Sequence, residues 1–326
     1  MAKLLSIKEF TLSDRPIDCY RGDIFYGVDL SRSFIFEAAR EGLFEAYKAK
    51  GVKFSFVVYD LLPILQPQFF PKESENMHAQ WLATIADVAD SLICISNAVA
   101  DELLSWIKKE KKTQKNHPKI ISLHLGADIG KNTTTQEPTP AQKEQLEELE
   151  KSITFLMVGT IEPRKGHAQV LEAFELLWEE GIETNLLIVG KKGWMVDDFI
   201  EKLTNHPMLH KRLFWFEGID DTYLDKLYDA ADALIVASQA EGYGLPLIEA
   251  AHHNLPVIAR DIPVFREVAQ NCAYYFQDDN NPKTVADAII NWLKLYKRKK
   301  HPLSDTMPWL TWKQNAQKLM KIFEEE

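Results

Sequence analysis

The sequence predicts an α/β protein of two domains, and three observations carry that prediction. From residue 151 onward, short apolar runs alternate with amphipathic segments as six strand–helix units. A looser form of the same alternation occupies the first half, and a polar stretch, KNTTTQEPTPAQKEQLEELE at 131–150, lies between the two. Strands buried on both faces read as near-continuous apolar runs, and serial βα units wind into a parallel sheet. A chain of 326 residues has room for two such domains.

In the first domain, assigned to residues 1–130, segments 54–58, 92–95 and 120–123 read as strands, with 24–26 a candidate fourth and 98–109 a helix. Residues 131–150 open with Thr, Pro and polar residues, end in a charged helical stretch, and are read as the linker. The second domain, 151–305, is the more regular. Its strands are expected at 153–158, 186–189, 213–216, 233–237, 257–259 and 273–276. Helices are expected between and after them at 167–179, 196–203, 222–230, 246–253, 264–269 and 283–296. That order describes a doubly wound, Rossmann-like sheet.

Composition narrows the function. A net charge of −10 argues against a nucleic-acid binder. Cys19, Cys94 and Cys272 are scattered, which suits a reducing compartment and offers neither a disulfide framework nor a zinc site. The N-terminus has no long apolar run and no stretch approaches a membrane span, so a cytoplasmic protein is expected. Two basic runs, 108–119 and 297–300, are either solvated surface or a peripheral contact with anionic lipid headgroups. The eight tryptophans are read as core, although Trp194 follows a candidate ligand loop.

Ligands of an open parallel sheet bind beyond the carboxyl ends of its strands. Three segments fall there. In Val158-Gly159-Thr160-Ile161-Glu162-Pro163-Arg164-Lys165-Gly166, Gly159 lets backbone approach a ligand, and Arg164 with Lys165 sets two cations at a helix entrance. Taken alone, this could equally be a solvated basic pair. In Glu241-Gly242-Tyr243-Gly244-Leu245-Pro246-Leu247-Ile248-Glu249, the glycines can present successive amides at a helix N-terminus, a ready anion site. Glu241 and Glu249 would flank it, placed for sugar hydroxyls, although Glu249 could instead simply favour the helix dipole. The third segment, Val189-Gly190-Lys191-Lys192-Gly193-Trp194, could pass a phosphate or ribose, or be an ordinary turn.

Together these segments resemble the family 4 glycosyltransferases of GT-B architecture, in which two Rossmann-like domains face each other across a cleft. The pattern Glu241-x7-Glu249 within residues 237–259, IEPRKG at 161–166, VGKKGW at 189–194, residues 214–238 and 260–269 carry the likeness. In the first half VVYDLLPILQPQFF at 57–70, ICISNAVADEL at 93–103 and LGAD at 125–128 also match. Within the family the likeness is greatest to bacterial O-antigen-type mannosyl- and rhamnosyltransferases.

The resemblance implies that Arg164 and Lys165 hold the donor diphosphate and that Glu249 binds the ribose. It also implies that Glu241 contacts the transferred sugar, with Gly242, Tyr243, Gly244 and Leu245 supporting sugar and phosphate. Gly159, Gly190, Lys191 and Ile219 would line the nucleotide site, and Asp60 would act at the sugar or serve only as a buried cap. It further implies retention at the anomeric carbon with no metal and no cofactor. The donor would be a nucleotide sugar, GDP-mannose, and the acceptor a glycan or lipid-linked glycan. Residues 306–326 would form a helix crossing back to the first domain. Nothing like the family's opening strand and glycine-rich loop precedes Arg21, so the first domain is expected to lack its opening βα units. That expectation leaves a second reading, a non-catalytic sugar-nucleotide-binding subunit working beside a partner chain, or a fragment of a larger synthase.

Overall fold

The computed structural model describes residues 17–110, 117–128 and 137–325. The first 16 residues of the first predicted domain, the middle of the 108–119 basic run and the opening of the predicted linker lie outside them. Among the described residues ten strands form two parallel sheets. The first sheet holds β1 (Ile24–Gly27), β2 (Lys53–Val58), β3 (Ser91–Cys94) and β4 (Lys119–Ser122), in the order β1-β2-β3-β4. Each crossover steps the same way, so among the described residues this sheet has no reversal of strand order.

The second sheet holds β5 (Thr154–Val158), β6 (Asn185–Val189), β7 (Leu213–Phe216), β8 (Ala233–Val236), β9 (Val257–Arg260) and β10 (Ala273–Phe276). Its order is β10-β9-β8-β5-β6-β7, so the winding reverses between β5 and β8. This is the doubly wound order whose switch point opens a crevice beyond the strand ends. All six segments expected from apolar runs are strands, with no end displaced by more than one residue. Alternation along β5 divides its side chains between the sheet's two faces. Leu156 joins a core continuous with the first domain, while Phe155 and Met157 join the core under the His167–Glu179 and Pro282–Lys297 helices. Both faces are dry, which is why the run carries no polar period.

Three first-domain helices, Arg32–Arg40, Leu43–Ala49 and Ser74–Val88, were not expected from the sequence. The first buries only Ile35 and Ala38, a narrow apolar face, whereas the last buries Trp81, Leu82, Ile85 and Ala86 on one side with His78, a helical spacing that the sequence does carry. The charged end of the predicted linker is a helix, Pro140–Leu149, opened by a capping box between Thr139 and Gln142. It docks on the second domain: Leu149 is buried, and Tyr223 Oη donates to Gln145 Oε1 at 2.8 Å.

The last helix, Trp312–Glu324, packs on the first domain. Ala127 N donates to Leu310 O at 2.8 Å, Trp312 N to Asp128 Oδ1 at 3.0 Å, and Asn315 Nδ2 to His124 O at 2.6 Å. Phe323 meets Tyr26 edge-on with ring centroids 5.3 Å apart. No helix among the described residues is long and apolar enough to cross a membrane.

Gly126 makes the return of this helix possible, because a Cβ there would lie 2.5 Å from Trp312 Cα. Gly126→Ala should therefore lower stability by about 1–3 kcal/mol through overpacking against backbone. Urea unfolding checks this, and a midpoint equal to the parent's would show that the last helix can shift without cost.

Candidate active site

The switch point brings together the loop after β5 and the loop after β8. The first leaves β5 through Gly159 at φ 138°, runs extended to Glu162, and tightens into a 3₁₀ turn, Pro163–Lys165. Gly166 ends that turn at φ 74° and opens the His167–Glu179 helix; a Cβ on it would lie 2.5 Å from Ala237 O. Only glycine meets both demands, so the β5 loop lies directly on the end of β8. Gln239 N then donates to Arg164 O at 2.8 Å, fastening the two loops together.

This packing sets Arg164, Lys165 and Glu241 face to face. Arg164 NH1 donates to Glu241 Oε2 at 2.9 Å and to Ala240 O at 2.8 Å, while Lys165 Nζ pairs with Glu241 Oε1. All three side chains are at most 16% exposed, so these are charges held in a poorly solvated crevice. Burial works to raise the Glu241 pKa, but Lys165 and Arg164 outweigh it and hold the carboxyl below its ordinary range. Burial likewise works against the Arg164 cation, and Glu241 and Glu162 more than restore it.

The β8 loop ends at Gly244, whose φ of 101° starts the Leu245–His252 helix with Pro246 in its first turn. Among the described residues the amides of Tyr243, Gly244 and Leu245 have no hydrogen-bond acceptor. They are free donors at a helix N-terminus. One turn on, Glu249 Oε2 accepts from Tyr228 Oη at 2.6 Å, and burial pushes the Glu249 pKa up. Tyr228 thus orients Glu249, a partner that no local sequence pattern announces, since it sits 21 residues away on the preceding helix.

Several predicted residues have structural duties. Gly190 packs loop on loop, because a Cβ there would fall 1.9 Å from Gly159 O. Gly242 is where the domains touch: a Cβ would meet Tyr59 O at 2.2 Å, and Gly242 O accepts from Ser96 Oγ at 2.8 Å. The Tyr243 ring is buried against His124 of the first domain, at 5.3 Å between centroids. Leu245 and Lys191 are exposed, and Ile219 is half-buried. Trp194 is an interdomain strut, with Nε1 donating to Phe69 O at 2.8 Å and the ring stacked on Phe70.

Asp60, at the end of β2, faces the crevice from the first domain, and its charge helps keep Arg164 protonated. Its Oδ1 accepts from Leu62 N at 3.0 Å and its carbonyl from buried His78 at 3.0 Å. Glu102 lies near it; burial and then the Asp60 charge push its pKa up to about 7. Glu102 and Glu162 carried no role in the sequence reading, although both lie inside matched motifs.

One acidic residue locks the cleft. Glu267, from the second domain, accepts from the amides of Asn97 and Ala98 at 2.7 and 2.9 Å, capping the Asn97–Glu110 helix of the first. His124 Nε2 lies 2.6 Å from the same carboxylate. Burial would raise the Glu267 pKa, but the bonds from His124, Asn97 and Ala98 hold it below its ordinary value.

Fold and site define a two-domain α/β protein with a crevice of paired charges at the switch point of its second sheet, facing the strand ends of its first. Residues 138–304 match the family model described as glycosyl transferases group 1. The chain belongs to that family. It is 44% identical over 312 residues to WbdA, a serotype-specific mannosyltransferase of Escherichia coli; the match covers 95% of this chain and 38% of the relative. The chain thus spans little more than a third of the length of that relative. It is 33% identical over 147 residues to RfbU, an O-antigen chain mannosyltransferase of Salmonella typhimurium, covering 45% of this chain and 40% of the relative. Among solved structures, Anabaena HepE in complex with UDP and glucose superimposes with a TM-score of 0.69 at 15% identity, covering 93% of this chain and 78% of that one.

A Glu267 pKa lowered by folding means that its contribution is full above the ordinary glutamate range and is lost as pH falls through the folded value. Glu267→Gln should cost about 1–3 kcal/mol at neutral pH, as the Asn97 and Ala98 amides and His124 lose a charged acceptor. The parent and variant should converge in acid. Urea midpoints at the two pH values measure this; equal midpoints at neutral pH would remove the clamp.

Proposed function

We propose that this chain transfers a sugar, mannose from GDP-mannose, to a growing glycan or lipid-linked glycan in O-antigen-type polysaccharide synthesis. Transfer retains the anomeric configuration and needs no metal. The observation that carries this reading is the Arg164–Lys165 pair, buried at the switch point beside free helix-N-terminal amides and shared by Glu241. A diphosphate entering there meets two cations and several N–H donors, which is what a departing nucleotide diphosphate requires. Once the diphosphate takes Arg164 and Lys165, the Glu241 carboxylate is released to accept hydrogen bonds from the transferred sugar. Glu249, oriented by Tyr228, accepts from the ribose hydroxyls. Asp60 approaches from the first domain, on the side where the acceptor docks. The mannosyl donor and polysaccharide acceptor are supported by the similarity to WbdA and RfbU.

A second reading is favoured by the first sheet, whose strands run in one direction with no switch point of their own among the described residues. In that reading this chain binds the sugar nucleotide, and a partner chain completes the acceptor side.

Two variants separate the roles. Arg164→Ala should reduce kcat by about 100-fold or more, because negative charge grows on the diphosphate as the glycosidic bond breaks. Glu249→Gln should chiefly raise the donor KM, since ribose bonding changes little during cleavage. Steady-state kinetics with GDP-mannose and a lipid-tailed mannose oligosaccharide, after melting curves show both variants folded, give the comparison. Near-parental turnover of Arg164→Ala would sink the assignment. EDTA should leave the parent's rate unchanged, and a loss restored by Mg²⁺ would contradict metal independence. A parent that binds GDP but transfers to no acceptor would favour the second reading.

A further inference from the structure

Arg164 is gripped by two carboxylates, and only one of them is free to leave. Its guanidinium NH1 bonds Glu241 and Ala240 O, while NH2 lies 2.6 Å from Glu162 Oε1. Glu162 is mounted rigidly. Its residue is 4% exposed, it stands in extended backbone immediately before Pro163, and its carbonyl accepts from Lys165 N at 3.0 Å. The preceding residue is tied to the loop after β6: Ile161 N donates to Lys191 O, and Gly193 N to Ile161 O, each at 2.9 Å. The other oxygen, Oε2, is buried and has no hydrogen-bond partner.

A buried carboxylate with one oxygen unpaired is a poor stabilising device, because desolvation offsets much of what its ion pair contributes. Its geometry serves another end. We infer that Glu162 is a positioning residue for transfer, holding the Arg164 guanidinium in place when donor binding draws Glu241 away to the sugar. This rests on the donor-site reading above. Without Glu162, Arg164 keeps only the Ala240 carbonyl as a fixed partner once Glu241 has moved. The cation would still attract a diphosphate, and removing a nearby negative charge strengthens that attraction. What is lost is the fixed orientation toward the charge that develops on the leaving group, and preorganisation of that kind acts on turnover rather than on ground-state binding.

The inference has a signature that a structural role does not share. In the full-length chain, Glu162→Ala should lower kcat for GDP-mannose by about tenfold or more while the donor KM stays within about threefold of the parent's. GDP affinity by isothermal titration should hold or improve. Glu162→Gln, whose side-chain carbonyl can still accept from Arg164 NH2, should recover a substantial part of the turnover. Parental or faster turnover in Glu162→Ala would overturn the inference alone, leaving the donor site intact. So would a parallel loss of turnover and GDP affinity with a lowered melting temperature and no recovery in Glu162→Gln, which marks a structural role. A parent chain that binds no nucleotide diphosphate would overturn the donor-site reading, and this inference with it.

Discussion

The second domain is organised around a problem of buried charge. Arg164 and Lys165 are consecutive cations in a crevice that water scarcely enters, and unpaired they would repel each other in a medium that screens poorly. Glu241 resolves this by lying across both, with Glu162 behind Arg164. That arrangement needs the β5 and β8 loops in van der Waals contact, which is why Gly166 sits under Ala237 and why Gln239 bonds the Arg164 carbonyl. The winding reversal between β5 and β8 supplies the contact, since only there do two neighbouring strand ends send their helices to opposite faces.

The same constraint reaches beneath the crevice. Arg260, at the end of β9 and fully buried, donates through Nε to Ala237 O at 3.0 Å and through NH1 to Asp278 at 3.1 Å, and also pairs with Gln169. It thereby ties the ends of β8 and β10 to the His167–Glu179 helix. His167, at the head of that helix and behind Lys165, is buried; burial, and then the Lys165 charge, drive its pKa down to about 3, so it adds no third cation to the loop.

Closure of the cleft adds a set of polar contacts to the apolar core that the two domains share. Ser96 caps the Asn97–Glu110 helix through Val99 N at 3.1 Å and also donates to Gly242 O, so one hydroxyl serves both a helix end and the domain contact. Glu267 covers the remaining amides of that end from the opposite domain. Helix termini otherwise left unsatisfied are thus completed across the interface, which makes the domain contact a condition for the helix and the helix a condition for the contact.

The second sheet was legible because its strands are dry on both faces, and continuous apolar runs leave a plain mark on a sequence. The loops after β5 and β8 were legible because glycine at a positive φ, proline in a first helical turn and paired cations are local demands, written within nine residues. Local pattern therefore sufficed for the kind of second domain and for which of its loops gather at the switch point. The folded arrangement set Glu241 across both cations, turned Tyr228 toward Glu249, and made Gly190 and Gly242 small for the sake of neighbouring backbone. It likewise decided that Glu267 closes the cleft from 170 residues away. Those pairings join residues distant in the chain, and the forces that select them, desolvation and the satisfaction of buried polar groups, act on the folded environment and leave no periodic trace in sequence.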